Sequence, residues 1–225
     1  MIELDGIAMG YGRDTLFDGV TLTLQPGSFH FLTGPSGAGK STFLKLCYLE
    51  LAPTGGEVRL FGEPTAGLDR DRVSVVRRRI GVVHQNCRFL DHLTMAENVA
   101  LPLTVTGQDA LAHADDLADL LAWVGLDGQA DAHPPELSWG ERQRAALARA
   151  VITSPDLVFA DEPTGNVDWD MSLRLMTLLA ELNRMGKTVL MATHDLGLIR
   201  HAKTLVDARV LRIAGRRVEV AGADL

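Results

Sequence analysis

The chain of 225 residues contains the run Gly34-Pro35-Ser36-Gly37-Ala38-Gly39-Lys40-Ser41, with Thr42 directly after it, whose residue types fit the binding of a polyphosphate. The glycines let backbone N–H groups converge on phosphate oxygens. The apolar stretch Phe29-His30-Phe31-Leu32-Thr33 before the run reads as a strand, and 40–50 after it reads as a helix whose N-terminus adds the positive end of its dipole. In such a P-loop Lys40 would neutralise the outer phosphates and the Ser41 hydroxyl would bind Mg²⁺. A second segment, Leu157-Val158-Phe159-Ala160-Asp161-Glu162, is an apolar strand ending in two carboxylates. Beside a P-loop these acids suit two tasks. Asp161 would hold magnesium through its coordinated water, and Glu162 would act as general base on the water that attacks the γ-phosphate. An ordinary glycine-rich turn and a strand running out into solvent are the bland alternatives.

Groups so far apart in sequence must be brought together by the ends of neighbouring strands. The chain alternates strand-like and helix-like patterns, as an α/β architecture with a mostly parallel sheet does. The N-terminus, Met1-Ile2-Glu3-Leu4-Asp5, reads as the start of a strand, and Gly55-Gly56 as a turn leading into the strand 57–62 of a small antiparallel β-subdomain. Ile80-Gly81-Val82-Val83 is a short strand followed by His84 and Gln85. Leu111, Ala114, Leu117, Leu121 and Val124 recur at helical steps and predict an amphipathic helix over 109–124. Helices are also expected over 139–153, stopped by Pro155, and over 171–184. A buried strand is expected over 188–193, and a hairpin over 210–220 turning near Ala214-Gly215. The length suits one domain spanning 1–225. Within it, about 1–86 and 155–225 would form a nucleotide-binding core, and the helix-rich 87–154 an inserted helical subdomain.

Leu137-Ser138-Trp139-Gly140-Glu141-Arg142-Gln143 makes the reading more specific. Ser138 and Glu141 form an S-x-x-E capping box, so the segment opens a helix whose free N–H groups can hold an anion. Taken alone it is a capped helix. It is similar, however, to the signature of the ABC ATPases, usually Leu-Ser-Gly-Gly-Gln or Glu, and nearly the whole chain resembles that family in the order of its motifs. The resemblance implies an α/β P-loop NTPase of ABC type, with a RecA-like core, a small antiparallel β-subdomain and an inserted α-helical subdomain. It implies ATP and Mg²⁺ as cofactors, ATP hydrolysis, and a homodimer in which Ser138, Gly140 and Glu141 close over ATP held by the P-loop of a second copy. Tyr11 is placed like the aromatic that stacks on adenine. Gln85 resembles the Q-loop glutamine that touches magnesium or water, and Gly165-Asn166-Val167-Asp168 the D-loop, with Asp168 at the dimer interface. His194, in Thr193-His194-Asp195, resembles the switch histidine that bonds the γ-phosphate and holds the water and Glu162 in place.

The D-loop resembles that of a subgroup of cell-division, lipoprotein-release and macrolide-efflux ATPases. The stretch 78–90, with Arg88-Phe89-Leu90 after the Q-loop, followed by 94–103, is most like the cell-division branch. That implies an integral membrane partner resembling FtsX, which would hold the chain at the cytoplasmic face of a bacterial inner membrane and regulate cell-wall hydrolases outside it. Arg77-Arg78-Arg79 would assist docking, meet anionic lipid headgroups, or form a solvated charged face. Two residues depart from the family pattern. His84 precedes Gln85 where Phe or Tyr is common, and Trp139 replaces the first signature glycine. The indole either blocks dimer closure, leaving a nucleotide-dependent scaffold with little hydrolysis, or packs sideways and slows the cycle.

Composition narrows the field further. A formal net charge of −7 disfavours a general grip on nucleic-acid backbones. No window approaches the roughly 20 apolar residues of a membrane-spanning helix. The N-terminus lacks the pattern of a secretory signal, so a cytosolic protein is expected. Cys47 and Cys87 have no metal-site spacing and read as buried thiols. Soluble ABC ATPases of DNA repair or translation usually carry two nucleotide-binding units or a long coiled-coil insert, and neither pattern occurs here.

Overall fold

Runs of apolar residues on strands that are covered on both faces dictate the central sheet. The computed structural model describes residues 1–12 and 14–221; Arg13 and residues 222–225 of the expected 1–225 span lie outside the described residues. The chain opens with β1 (Ile2–Tyr11), β2 (Asp14–Leu24), β3 (Phe29–Thr33), α1 (Lys40–Cys47), β4 (Gly55–Leu60), β5 (Glu63–Pro64), α2 (Arg70–Arg77) and β6 (Ile80–Val83). Helices α3 (Met95–Val105), α4 (Ala114–Trp123) and α5 (Trp139–Val151) follow. The remainder is β7 (Leu157–Asp161), α6 (Trp169–Arg184), β8 (Thr188–Ala192), α7 (Leu196–Ala202), β9 (Ala208–Ala214) and β10 (Arg217–Val220). One sheet has the order β10-β9-β3-β8-β7-β6 and is parallel except for β10; the other, β2-β1-β4-β5, is antiparallel.

Side chains alternate along the parallel strands and so divide the core in two. Leu32, Leu157, Phe159 and Leu190 pack with Phe43 and Leu44 of α1 and with Ile2, Leu4 and Val58 of the antiparallel sheet. Phe31, Val158, Ala160, Val189 and Met191 pack beneath α5, α6 and α7. Each fully buried Leu or Phe contributes about 1.5–3 kcal/mol relative to exposure. Both thiols are withdrawn from solvent: Cys47 is fully buried and Cys87 half-buried, where burial pushes its pKa up to about 11.

Neighbouring parallel strands end along one edge, which is where ligands gather in open α/β sheets. Because β3, β8, β7 and β6 are adjacent, that edge collects the loop 34–39, Thr193-His194, Asp161-Glu162 and His84-Gln85. The helices beyond it start at polar caps. The Thr94 hydroxyl accepts from Glu97 N–H while the Glu97 carboxylate accepts from Thr94 N–H, opening α3. Asn98, fully buried, binds the backbone of Leu90, Leu93 and Thr94 and so fixes the loop that follows the Q-loop.

Local expectations shift in several places. The helix expected from 109 starts at Ala114, after a 3₁₀ turn at Leu111–His113; Asp109 accepts from Leu111 N–H, and this local bond competes with helix. Gly55 pairs with Ala8 of β1 and Gly56 sits at the register shift beside it, both within β4 instead of forming a turn. Gly56 has φ 83, and a side chain there would run into the Gly6 carbonyl. Helix α1 stops at Cys47, short of residue 50, where Leu49 takes φ 63. Helix α6 begins at Trp169, ahead of 171, because Asp168 caps it by accepting from Met171 N–H at 2.8 Å.

His30 is the costly residue of the core. It lies buried on β3 opposite Arg209, and its Nδ1 has no hydrogen-bond partner. Burial first, and the Arg209 charge second, lower its pKa from 6.5 to about 4. The unfolded chain therefore takes up a proton between these values that the folded chain refuses, and stability falls as pH drops through that window. The loss amounts to about 3 kcal/mol. Urea unfolding at pH 7.5, 5.5 and 4.5 should show His30→Leu losing less stability than the native chain over this range.

Candidate active site

The loop after β3 has to bend sharply to bring backbone N–H groups to one point. Gly37 and Gly39 supply φ 77 and φ 97. Gly39 is favoured on space as well, since a Cβ there would lie 2.7 Å from Leu16 Cδ2 and 2.9 Å from the Phe17 ring, which would have to shift. The loop leads directly into α1, which has no side-chain cap, so its first N–H groups are left for a ligand. Tyr11, Leu16, Gly34, Pro35, Ser36, Gly37, Gly39, Lys40, Ser41, Thr42, Gln85, Glu162 and His194 line a cavity of about 700 Å³. Tyr11 stands exposed at its wall. Ala38 does not line the cavity; its side chain packs toward the core and its N–H donates to the Pro35 carbonyl.

Glu162 is the hub. Its backbone takes φ 46, and its N–H donates to the Ala192 carbonyl at 2.9 Å, tying the end of β7 to the end of β8. Lys40 Nζ lies 3.3 Å from Glu162 Oε1 and donates to the Gly34 carbonyl at 3.1 Å. His194 Nδ1 lies 2.9 Å from Glu162 Oε2; an ionised carboxylate only accepts, so Nδ1 carries the proton of this bond. The Glu162 side chain is 9 % exposed and that of His194 71 %.

Asp161, Ser41 and Gln85 share an adjoining cavity of about 510 Å³. Burial raises the Asp161 pKa, opposed by a hydrogen bond from the Ser41 hydroxyl. Asp161 Oδ1 is buried without a partner, which is where a cation would be expected. These hard oxygen donors fit Mg²⁺. Among the described residues no three His, Cys, Asp or Glu side chains cluster as a metal cage, so a bound ion would draw its remaining ligands from phosphate and water.

Ser138, Gly140, Glu141 and Asp168 lie outside this cavity. Ser138 and Glu141 form the expected capping box, with the Ser138 hydroxyl also donating to Glu141 at 2.6 Å. Gly140 is packed against Met171, where a Cβ would approach its Cε to 3.1 Å, and Arg144 donates to Met171 Sδ. The start of α5 is thereby fastened to the first turn of α6. Trp139 is half-buried, and its indole N–H is enclosed without a partner. His84 meets Tyr48 edge-on at 6.1 Å. The sequence reading gave no role to Leu16 or Gln143. Leu16 closes the space above Gly39, and Gln143 donates to the Gln85 carbonyl at 3.4 Å. Nothing in the spacing of either residue signals these contacts.

A family model described as ABC transporter matches residues 17–165. The chain belongs to the ABC transporter family. This ABC ATPase is 40% identical over 209 residues to the cell division ATP-binding protein FtsE of Bacillus subtilis, covering 92% of each chain. It is 44% identical over 206 residues to FtsE of Escherichia coli K12, covering 88% of this chain and 90% of the relative. A post-hydrolysis dimer of the ATP-binding cassette MJ0796 with ADP and Pi superposes with a TM-score of 0.87 at 32% identity, over 97% of both chains. A second dimeric structure of MJ0796 gives 0.86 at 34%. The ABC ATPase is thus an FtsE-like ATP-binding protein with the ABC fold.

Gly39→Ala in this ABC ATPase should lose about 2–5 kcal/mol of stability, from left-handed strain and overpacking against Leu16 and Phe17. Chemical denaturation beside Gly128→Ala, where a Cβ meets open space, checks this.

Proposed function

We propose that the chain binds ATP with Mg²⁺ in the P-loop cavity and hydrolyses it as a homodimer, driving an FtsX-like integral membrane partner in bacterial cell division. The observation that carries this reading is the Glu162 carboxylate held between Lys40 and His194. Phosphate oxygens compete with that carboxylate for the Lys40 ammonium. As Lys40 turns to them, Oε1 of Glu162 is released to a water molecule. Glu162 takes a proton as the water oxygen bonds to the γ-phosphorus; the bond to the bridging oxygen breaks, leaving ADP and phosphate. His194 holds the carboxylate in place and Tyr11 stacks on adenine. Ser41, Gln85 and Asp161 hold Mg²⁺, which when bound neutralises phosphate charge.

Ser138, Gly140, Glu141 and Asp168 lie away from their own cavity, which fits their serving the nucleotide of a second copy; the dimeric assemblies of the MJ0796 relatives support this. The indole N–H of Trp139 is enclosed within the chain, which favours turnover over a pure scaffold. Support for a membrane partner comes from a groove of about 470 Å³ beside the Q-loop. Arg77, Arg78, His84 and Arg149 rim it, Ile80, Val82, Pro102 and Val105 give it apolar walls, and no carboxylate lines it. Arg77 is committed to the Leu49 carbonyl and Arg79 to Asp156 and the Phe61 ring, so of the arginine run Arg78 is left for docking. No helix of the described residues is long and apolar enough to cross a membrane, so the partner would hold the chain at the cytoplasmic face. The names of the FtsE relatives favour cell division over lipoprotein release or macrolide efflux.

ATP turnover by the purified chain, alone and with a coexpressed FtsX-like protein, tests the proposal. Glu162→Gln should lower kcat by about 10²–10⁴-fold and leave ATP binding intact. Turnover that survives in Glu162→Gln would reject Glu162 as the base. Binding without turnover in the native chain, rescued by Trp139→Gly, would make this a scaffold. In the same coexpression, Arg78→Glu should abolish copurification of the partner; unchanged copurification would place the docking surface elsewhere.

A further inference from the structure

His194 is held by little. Its side chain is 71 % exposed, so apart from the bond to Glu162 its position depends on the backbone that carries it into α7. That backbone is braced from outside the cavity. Asp195 caps α7 by accepting from Leu198 N–H at 3.0 Å, and its own N–H donates to Thr193 Oγ1 at 3.1 Å. Trp169 faces the same turn: a Cβ added at Gly197 would lie 3.6 Å from Trp169 Cη2 and 3.8 Å from Cζ3, so the ring stands about one methyl group from the backbone. The tight neighbour of that Cβ position is Asp195 Oδ1 at 3.2 Å, so the turn is filled by the cap and bordered by the ring. Trp169 is itself anchored as the first residue of α6, directly after Asp168, which accepts from Met171 N–H. It is nevertheless 48 % exposed, which is more than a ring retained for core packing alone would show.

We propose that Trp169 is a positioning residue for His194. Its indole, facing Gly197, sets the first turn of α7 and thereby the orientation in which the imidazole meets Glu162. This inference rests on the reading of Glu162 and His194 as the hydrolytic pair. Trp169 does not line the nucleotide cavity, so its loss should act on the chemical step and leave binding alone.

ATP affinity, KM and kcat are measured for Trp169→Ala, Trp169→Phe, His194→Ala and the Trp169→Ala/His194→Ala double variant, with Glu162→Gln as control. Trp169→Ala should lower kcat by about tenfold, as a displaced catalytic group does, with ATP affinity within about twofold of the native chain. Trp169→Phe, which keeps a ring over Gly197, should recover most of the rate. Added to His194→Ala, Trp169→Ala should cost less than about twofold more, because the group it positions is already gone. The proposal is overturned if Trp169→Ala keeps native kcat, or if its loss multiplies in full on His194→Ala as a general structural defect would. Glu162→Gln separates the two failures. If that variant is inactive while Trp169→Ala turns over normally, only the positioning role falls; if it retains turnover, the hydrolytic reading falls and takes this role with it.

Discussion

One carboxylate joins the parts of the molecule that matter for chemistry. Glu162 reaches Lys40 at the start of α1 and His194 after β8, while its own N–H is bound to the end of β8. A buried carboxylate without such partners would bear a large desolvation penalty, so the group fixes the relative height of the three loops as much as they fix it. Its left-handed φ of 46 belongs to the same constraint. Backbone strain of this kind persists only where the surroundings over-determine it, and a hydrolytic site is such a place.

The constraint can be met because the sheet order makes it local. β3, β8 and β7 are consecutive neighbours with both faces buried, and rigid strands leave their C-terminal loops little freedom. Helix α5 is attached to this frame by different means. Gln143 reaches the Gln85 carbonyl, and Arg144 and Gly140 meet Met171 just beyond Asp168. On the proposed function these are the mechanical links between a groove facing the membrane partner, the nucleotide edge and the surface offered to a second copy.

Much of this was legible in the sequence because it depends on short-range patterns. A glycine-rich run between an apolar strand and a helix, and an apolar strand ending in Asp161-Glu162, state their geometry locally, and the parallel α/β sheet follows from the alternation of elements. Less legible were features decided by distant contacts. Gly55-Gly56 looks like a turn until β1 is placed beside it, and Leu111 keeps helical spacing although the Asp109 side chain holds it in a tighter turn. Trp139 could be recognised as a departure, but the enclosure of its indole N–H depends on neighbours that no spacing reveals. The same holds for Leu16 above Gly39 and for Trp169 on Gly197, where a bulky residue meets a glycine remote in sequence.

On the proposed function the cavity is half of a site which a second copy completes through Ser138. Sedimentation equilibrium of Glu162→Gln with ATP and Mg²⁺, compared with the same chain carrying Ser138→Arg, tests it most directly. Glu162→Gln should form an ATP-dependent dimer and become a monomer once Ser138→Arg is added. A monomer in both, or a dimer indifferent to Ser138→Arg, would contradict it.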